Sequence, residues 1–426
     1  MNYLEVHLKE KVQYKKLIKG SLYLIIAFLF LTPSFKIVEF IPKIRLEEVF
    51  TFLIVLFLIM RVILKKYVLL AFNSTILLLI SFCFFIGFSV LNGTFQGYQT
   101  SIFDFNQFVM VFKYAVIYTV ALTFYYLNSE DKNEMKKVLR FIFFMSTLLF
   151  FIVLQQYFNL FGLNEKYIRL VAPTQYDTLV NNYAHPRPVG MLGNPNELGF
   201  LFVMVALLVL FILLNHEFKV TLLLVFMMQI SGVFLTLSRT SLVALVIGTT
   251  VVIVPAMLSR KNSLKKHARF LVFFFVLISA IFYAVTYTDF IDKIWWRFTE
   301  IFNLSHSTSW NARLTNWSEN MDIFLQHFVI GVGPLSRAIF QHAADNEWLL
   351  LLRSYGIIGT LVVCFIFTYL AINSKISNRA LLLSIVMAGG VYMVSSVFFQ
   401  SLVLMPVFLI LAAISNSVTK VVVVTR

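Results

Sequence analysis

The stretch from Pro195 to Leu214, PNELGFLFVMVALLVLFILL, decides the fold class of this chain. After Glu197 it carries no charged side chain, and its length matches the roughly 20 apolar residues that a helix needs to cross the hydrocarbon core of a bilayer. The stretch therefore predicts a transmembrane helix.

The composition extends this prediction to the whole chain. Its 426 residues are 60% hydrophobic and only 13% charged, and they carry a formal net charge of +15. Soluble domains have about 25% charged residues, so this chain has too little polar surface to cover itself and must be solvated by lipid. The basic residues are scattered in short clusters between apolar runs, which argues against nucleic acid as a partner. The cysteines Cys83 and Cys364 both lie in apolar runs and indicate no disulfide.

The expected fold class is an all-α integral membrane protein, with residues 1–426 forming a single polytopic membrane domain. About twelve transmembrane helices are expected from the apolar stretches, near residues 18–34, 46–64, 67–91, 108–128, 138–160, 195–214, 219–237, 240–258, 269–288, 347–372, 379–399 and 401–419.

The distribution of charge predicts the orientation. With the N-terminus in the cytoplasm, 22 of the 35 lysines and arginines fall in inner segments, which is the bias that the positive-inside rule describes. Both termini are then expected in the cytoplasm. The outer segments hold 12 basic and 14 acidic residues, so an outer anion site has to rely on a few placed arginines.

Two expected extracytoplasmic loops are long, at 161–194 and 289–346, and long loops tend to carry function. The second contains an amphipathic helix that we expect to lie on the outer membrane surface. From Trp310 onward, its apolar face comprises Leu314, Trp317, Met321, Phe324, Leu325 and Phe328.

Sequence signatures of nucleotide, metal and serine-hydrolase chemistry are absent. His342 and Asp345 have an H-x-x-D spacing, but no third ligand accompanies them. We therefore expect neither a metal nor a cofactor.

Four arginines on the expected outer side are candidates for an anion site. Arg187 closes the first long loop, Arg239 lies at the tight junction of two spans, Arg313 lies on the amphipathic helix, and Arg353 lies about 12 Å inside a span. Guanidinium groups bind phosphate through two parallel hydrogen bonds, so several together suit a pyrophosphate. The alternative for arginines such as Arg239, Arg297 or Arg337 taken singly is snorkelling or a surface ion pair.

Two acidic segments lie at the start of expected spans, and each has either a helix-capping role or a functional one. Asn194-Pro-Asn-Glu197 is typical of a helix start, with Asn194 as N-cap and Glu197 completing a capping box. Asp345-Asn-Glu-Trp348 also opens a span, where Asp345 is either an N-cap or, with Glu347, a candidate general base for a sugar hydroxyl.

The order of these motifs resembles the bacterial O-antigen polymerase and O-antigen ligase superfamily over about residues 185–360. The resemblance rests on several short motifs together, namely Arg187-Pro-Val-Gly190, Gly193 to Gly199, Leu235 to Ser241, Arg313 with Trp317, Gly331-Val-Gly-Pro334, and Asp345 to Gly359.

The resemblance implies a membrane-embedded, GT-C-like glycosyltransferase in the bacterial cytoplasmic membrane with its active site on the outer side. Its donor and acceptor would be undecaprenyl-pyrophosphate-linked glycans, with no metal or nucleotide-sugar. Arg187 and Arg313, with Arg239 as a third, would bind the pyrophosphates, and Asp345 or Glu347 would act as base; Arg353 is a further pyrophosphate candidate from its position in the span alone. Membrane lipid, a chain-length regulator protein and a flippase are the further partners implied.

One departure favours polymerisation over ligation. Ligases carry a histidine directly before the asparagine at the start of the span after the large loop, whereas this chain has Asp345. The spacing to Gly331 leaves open whether Arg297 or Arg313 is the second pyrophosphate residue. Two other functions also stay open at this point, a ligase and a transporter or flippase of glycan-lipid. The absence of internal symmetry argues against the transporter.

Overall fold

The computed structural model describes residues 3–35, 44–181, 186–215, 218–258, 308–335, 345–416 and 420–425. The expected span at 269–288, much of the loop at 289–346, and residues Arg297, Arg337 and His342 lie outside these ranges. The chain forms two compact units. Unit 1 comprises Met1–Met145, Glu319–Leu382 and Val397–Arg426, and unit 2 comprises Ser146–Ser318 and Leu383–Ser396.

The elements that lie wholly in unit 1 are helices and two short antiparallel strand pairs. They are α1 (Tyr3–Leu31), β1 (Ser34–Phe35), β2 (Ile44–Arg45), α2 (Leu46–Ile63), β3 (Val68–Phe72), α3 (Ser74–Phe95), α4 (Phe105–Leu127), α12 (Glu347–Ile372), α14 (Leu404–Ile414) and β4 (Lys420–Thr425).

The described elements of unit 2 are all helical. They are α6 (Leu163–Val171), α7 (Tyr176–Val180), α8 (Pro195–Asn215), α9 (Val220–Leu235) and α10 (Arg239–Leu258). Three helices contribute residues to both units, namely α5 (Lys132–Phe158), α11 (Thr308–Gln326) and α13 (Ile376–Tyr392).

The helices confirm an α-helical membrane protein. Six of those described are long and apolar enough to cross a membrane, namely Ser74–Phe95, Phe105–Leu127, Asn133–Phe158, Pro195–Asn215, Arg239–Ala256 and Glu347–Ile372. Val220–Leu235, Ile376–Tyr392 and Leu404–Ile414 are apolar but shorter. The count of twelve spans stays a prediction.

Two expected spans need correction. The expected span at 67–91 begins with strand β3, and the helix starts only at Ser74, where the Asn73 side chain caps it by accepting a hydrogen bond from the N–H of Thr75. In the expected span at 401–419, the described residues 401–416 contain the eleven-residue helix α14, and residues 420–425 form β4, which pairs with β3. Hydropathy identifies apolar segments but does not separate a short buried strand from a helix.

Strand β3 also connects to the helices around it. The Tyr14 hydroxyl donates to the carbonyl of Leu69, and the N–H of Ala71 donates to Thr123 Oγ1. The first half of α1, the connection between α2 and α3, and the last strand therefore lie at the same end of unit 1.

Helix α8 is the centre of unit 2. Its residues from Leu198 to Leu214 are buried except for Ile212, and it packs against both α9 and α10. A helix that is apolar on all sides is expected in such a central position.

Candidate functional site

The first candidate region, in unit 2, is the joint between the N-terminal ends of α8 and α10. The Oδ1 atom of Asn194 accepts from the N–H of Asn196 at 2.8 Å, so α8 begins at the cap that its sequence predicts. At α10, Ser238 Oγ accepts from the N–H of Ser241 at 3.3 Å. The Ser241 hydroxyl then donates to the Asn196 carbonyl at 3.2 Å, which connects the first turns of the two helices.

Gly199 permits this close approach. A Cβ atom at this position would lie 2.7 Å from Ser241 Oγ and 2.8 Å from Thr236 Oγ1. These distances are shorter than ordinary van der Waals contact, so a side chain at residue 199 would push α8 away from the turn between α9 and α10. The glycine of the Gly193 to Gly199 motif is therefore a packing residue of the joint.

Polar contacts hold Arg187 at this joint. Its Nε atom donates to the Thr236 carbonyl at 3.4 Å, and its Nη2 atom donates to Asn196 Oδ1 at 3.2 Å. The side chain is half-buried, as is that of Arg239, the first residue of α10. Both residues thus stay partly exposed.

The joint brings two helix N-termini and a guanidinium together, beside the C-terminal Thr236 carbonyl of α9 and the Glu197 carboxylate in the first turn of α8. Helix N-termini carry roughly half a positive charge each, and their first N–H groups point outward along the axis. Here two long helices begin close together, and Arg187 adds a guanidinium at the first turn of α8. Backbone dipoles and a guanidinium at one position are the ingredients of a phosphate site.

The segment before Arg187 folds into a small helical layer. Helices α6 and α7 enclose an apolar cluster of Ile168, Val171, Ala172, Leu179 and Val189. The Tyr167 hydroxyl donates to Gln155 Oε1 at 2.7 Å, and burial raises the pKa of this phenol. The loop expected at 161–194 therefore has its own secondary structure, and Val189 of the Arg187 segment belongs to its core.

The second candidate region, in unit 1, surrounds Arg353 on α12. This side chain is only 1% exposed. Its Nη1 atom donates to Asn320 Oδ1 at 2.9 Å, and its Nη2 atom donates to the Pro334 carbonyl at 2.5 Å. A buried guanidinium with protein acceptors connects chain segments and is poorly accessible to a lipid-linked ligand.

Arg353 lies where α12 is interrupted. Gly356 has φ +61° and ψ −167°, which breaks the helical hydrogen bonding. The carbonyls of Arg353 and Ser354 accept from Val332 and Gly333 at 3.1 and 2.9 Å, and the N–H of Ile357 donates to the Phe328 carbonyl at 2.9 Å. Residues 328–334 therefore satisfy the backbone groups that the break exposes, as a membrane protein requires.

Glycine is needed on both sides of this contact. A Cβ atom on Gly356 would lie 2.4 Å from the Val329 carbonyl oxygen, and one on Gly331 would lie 2.6 Å from the Arg353 carbonyl oxygen. Helix α3 supports the same segment through Asn92 Nδ2, which donates to the Gly331 carbonyl at 2.7 Å. The Gly331-Val-Gly-Pro334 motif is therefore part of an interlocked backbone in unit 1.

The acidic residues at the start of α12 have different surroundings. The N-cap is Asn346, whose side chain accepts from the N–H of Leu349 at 3.3 Å, so the alternative of Asp345 as cap is wrong. Asp345 is exposed, whereas Glu347 is fully buried. The Glu347 carboxylate accepts from the backbone N–H groups of Phe398, Phe399 and Gln400, at 2.5, 3.0 and 2.6 Å.

The segment that holds Glu347 is also bound from α4. The Tyr114 hydroxyl contacts the carbonyls of Phe399 and Ser401, both at 2.8 Å. Lys113 Nζ donates to the Leu402 carbonyl at 3.3 Å and pairs with Glu48 at 3.2 Å. Charged side chains inside apolar runs predict partners of this kind, but the sequence does not identify them.

The structure thus divides the predicted site residues into two sets. Arg187, Arg239, Arg313 and Asp345 are at least partly exposed, whereas Glu347 and Arg353 are buried. Sequence reasoning missed the polar partners of Arg187, namely Asn196 and the Thr236 carbonyl. A usable signal was present, because both residues lie inside the motifs that follow Arg187.

Comparison with known proteins gives a family but no individual relative. No curated protein matches the chain. A family model described as O-antigen ligase matches residues 222–364, which include the Arg239, Arg313 and Asp345 motifs, whereas the Arg187 motif precedes the match. This match supports the resemblance that the motifs predict: residues 222–364 are similar to the O-antigen ligase family.

Proposed function

We propose that this protein polymerises undecaprenyl-pyrophosphate-linked oligosaccharide repeat units at the outer face of the bacterial cytoplasmic membrane. The observation that carries the proposal is the joint of unit 2, where Arg187 lies at the adjoining N-terminal ends of α8 and α10. A site built from helix N-termini and guanidinium groups suits a pyrophosphate and needs no general positive field.

In the proposed reaction, a hydroxyl oxygen at the non-reducing end of one repeat unit attacks the anomeric carbon of the growing chain. The bond between that carbon and the pyrophosphate oxygen breaks, the hydroxyl proton passes to Asp345, and undecaprenyl pyrophosphate leaves. Arg187, Arg239 and Arg313 stabilise the negative charge that develops on the leaving group.

The geometry favours Asp345 over Glu347 as the base. The carboxylate oxygens of Glu347 accept three backbone N–H groups, which stabilise the ionised form and weaken it as a proton acceptor. Glu347 is fully buried, whereas Asp345 is exposed. We therefore assign Glu347 and Arg353 to positioning, and leave the pyrophosphate to the three partly exposed arginines.

A second candidate is ligation, the transfer of a finished glycan to another acceptor. The description of the matched family model favours it. Both reactions use the same class of donor, so the arginine site serves either one. Asp345, at the position where ligases carry histidine, is our reason for preferring polymerisation.

The proposal includes the expected topology, with twelve spans, both termini in the cytoplasm, and the candidate site on the outer side. The common end shared by α1, β3 and β4 in unit 1 supports placing the two termini on one side. A chain-length regulator protein and a flippase are the proposed partners.

Glycan analysis of a deletion strain tests the proposal. Loss of a polymerase leaves a single repeat unit on the surface acceptor, and this is the result that we expect. Loss of a ligase leaves polymer on the undecaprenyl carrier, and loss of a flippase removes surface glycan altogether. Either of these two results would overturn the polymerase assignment. Complementation with Asp345→Asn, compared with Glu319→Gln as an acidic control on α11, then tests the base.

A further inference from the structure

The segment that carries Arg187 is hydrogen-bonded to the side chain of Gln156 on α5. Its Oε1 atom accepts from the N–H groups of Val189 and Gly190, at 2.9 and 2.8 Å. Its Nε2 atom donates to the Gly190 carbonyl at 2.9 Å. The amide thus binds the backbone of two consecutive residues through three hydrogen bonds, and the side chain is fully buried.

The hydrogen bonds at Val189 and Gly190 also restrict the backbone position of Arg187, because the chain between these residues is stiff. Pro188 has its φ fixed near −65° by its ring, and it also restricts Arg187, the residue before it, to extended backbone. Pro186 precedes Arg187 and is buried, as is Pro188. Few soft dihedral angles therefore separate the anchored residues from the Cα atom of Arg187.

The anchor itself is held in place. Asn164 is fully buried, and its Nδ2 atom donates to the Gln156 carbonyl at 2.7 Å and to the Leu179 carbonyl at 3.2 Å. Gly190 has φ +55°, and a Cβ atom there would lie 3.0 Å from side-chain atoms of Leu149 and Leu198. The segment thus fits between α5 and α8 only in this backbone conformation.

From this geometry we infer that Gln156 is the positioning residue of Arg187, and that it fixes where the guanidinium meets the pyrophosphate. The inference rests on the proposed function, and it adds a residue from α5, which lies outside both the motifs and the matched range 222–364. Gln156 does not contact the ligand. It acts through the backbone at Val189 and Gly190, and through Pro188.

Gln155 provides a matched control. It is the neighbouring residue on α5, with the same side chain, but it accepts from the Tyr167 hydroxyl at 2.7 Å and donates to Asn164 Oδ1 at 3.2 Å. Replacement of either glutamine by leucine removes an amide from the same helical turn. Only Gln156→Leu removes the contacts with Val189 and Gly190.

The test is a double-mutant cycle on the full-length protein in lipid nanodiscs, with undecaprenyl pyrophosphate as the probe. We expect Gln156→Leu to weaken its affinity about 10- to 100-fold, because small displacements of a binding group have effects of this size. In an Arg187→Ala background the same change should have an effect below about twofold, since coupled residues are not additive. Gln155→Leu should change affinity less than about threefold in either background.

The outcomes separate this inference from the function on which it rests. If Arg187→Ala binds the probe as tightly as the unmodified protein, the pyrophosphate assignment is wrong. If Arg187→Ala weakens binding, but Gln156→Leu weakens it equally in both backgrounds or in neither, the positioning role is wrong. Hydrogen exchange at the amides of Val189 and Gly190 gives a readout that needs no ligand, and it should accelerate in Gln156→Leu only. Where Gln156→Leu fails to fold, Gly190→Ala displaces the same segment and takes its place in the cycle.

Discussion

Arg187 lies between two prolines and Arg353 follows an apolar run, and the sequence makes both candidates for the anion site, yet they lie in different surroundings. Arg353 is buried in unit 1, and its bonds go to Asn320 and to the Pro334 carbonyl. Arg187 is half-buried in unit 2, between the Thr236 carbonyl at the end of α9 and the first turn of α8. The first connects segments of one fold, and the second lies at a surface that an anion can reach.

Burial and hydrogen-bond partners together separate structural from functional charges in a membrane protein. A buried charge is costly unless its hydrogen bonds are satisfied, so a fully enclosed and bonded arginine is explained by the fold. A cation next to a helix C-terminus is favourable, but one at a helix N-terminus is not. Arg187 donates both to the Thr236 carbonyl at the C-terminal end of α9 and to Asn196 in the first turn of α8, and its side chain stays partly exposed.

Arg353→Met should have the largest effect on stability. The change leaves the Asn320 side chain and the Pro334 carbonyl without a charged donor, at about 1–3 kcal/mol for each acceptor. We expect the free energy of unfolding in detergent to fall by about 2–6 kcal/mol, measured by chemical denaturation. A variant as stable as the unmodified protein that has lost polymer synthesis would instead move Arg353 into the ligand site.

Arg187→Ala should lower polymer synthesis strongly and change stability little, the opposite of Arg353→Met. We expect polymer synthesis per inserted protein to fall about 10²- to 10³-fold, the usual cost of removing one charge-stabilising donor, as measured by glycan ladders. The free energy of unfolding should change by less than about 1 kcal/mol, because the side chain is only half-buried. Arg187→Lys is the control, because it keeps the charge but loses the two-pronged geometry. Full activity in the alanine variant would show that Arg187 does not bind the ligand, and the functional difference from Arg353 would be wrong.

Glu347→Gln tests whether Glu347 has a structural role and Asp345 the chemical one. The amide keeps one oxygen for the N–H groups of Phe398 to Gln400, but its NH₂ group faces a donor. We expect a loss of about 1–3 kcal/mol in unfolding free energy. The pH profile of the remaining activity should stay unchanged, because the proposed base is Asp345. A shifted profile would return Glu347 to the chemistry.

Much of this fold follows from composition and hydropathy alone. The helices near 46–64, 108–128, 195–214 and 347–372 lie where apolar length places them, and Asn194 caps α8 as expected. The strand pair of β3 and β4 did not follow, because it joins residues about 350 positions apart along the chain. Local apolar patterns contain no information on such pairing.

The candidate site could be predicted only by residue type. Arginines next to glycine and asparagine motifs indicate an anion site, but the pattern gives Arg353 and Arg187 the same weight. What separates them is three-dimensional: the break at Gly356 brings residues 328–334 against α12 and encloses Arg353. Gln156 was missed for a similar reason, because one glutamine near the end of an apolar helix has no partner until the chain folds back to Gly190.

Ser241→Ala should have the smallest combined effect on stability and on polymer synthesis. It tests the joint between α8 and α10 directly. The change removes the hydrogen bonds to the Asn196 carbonyl and to Ser238 Oγ, at 3.2 and 2.8 Å. We expect about 0.5–1.5 kcal/mol of lost stability, because a neutral hydrogen bond contributes about that much and Ser238 Oγ still accepts from the N–H of residue 241. Polymer synthesis should fall less than about tenfold, since Arg187 keeps its bonds to Thr236 and Asn196. A larger loss of synthesis at unchanged stability would mean that the Ser241 hydroxyl itself binds the pyrophosphate, and the anion site would then extend from α8 onto the first turn of α10.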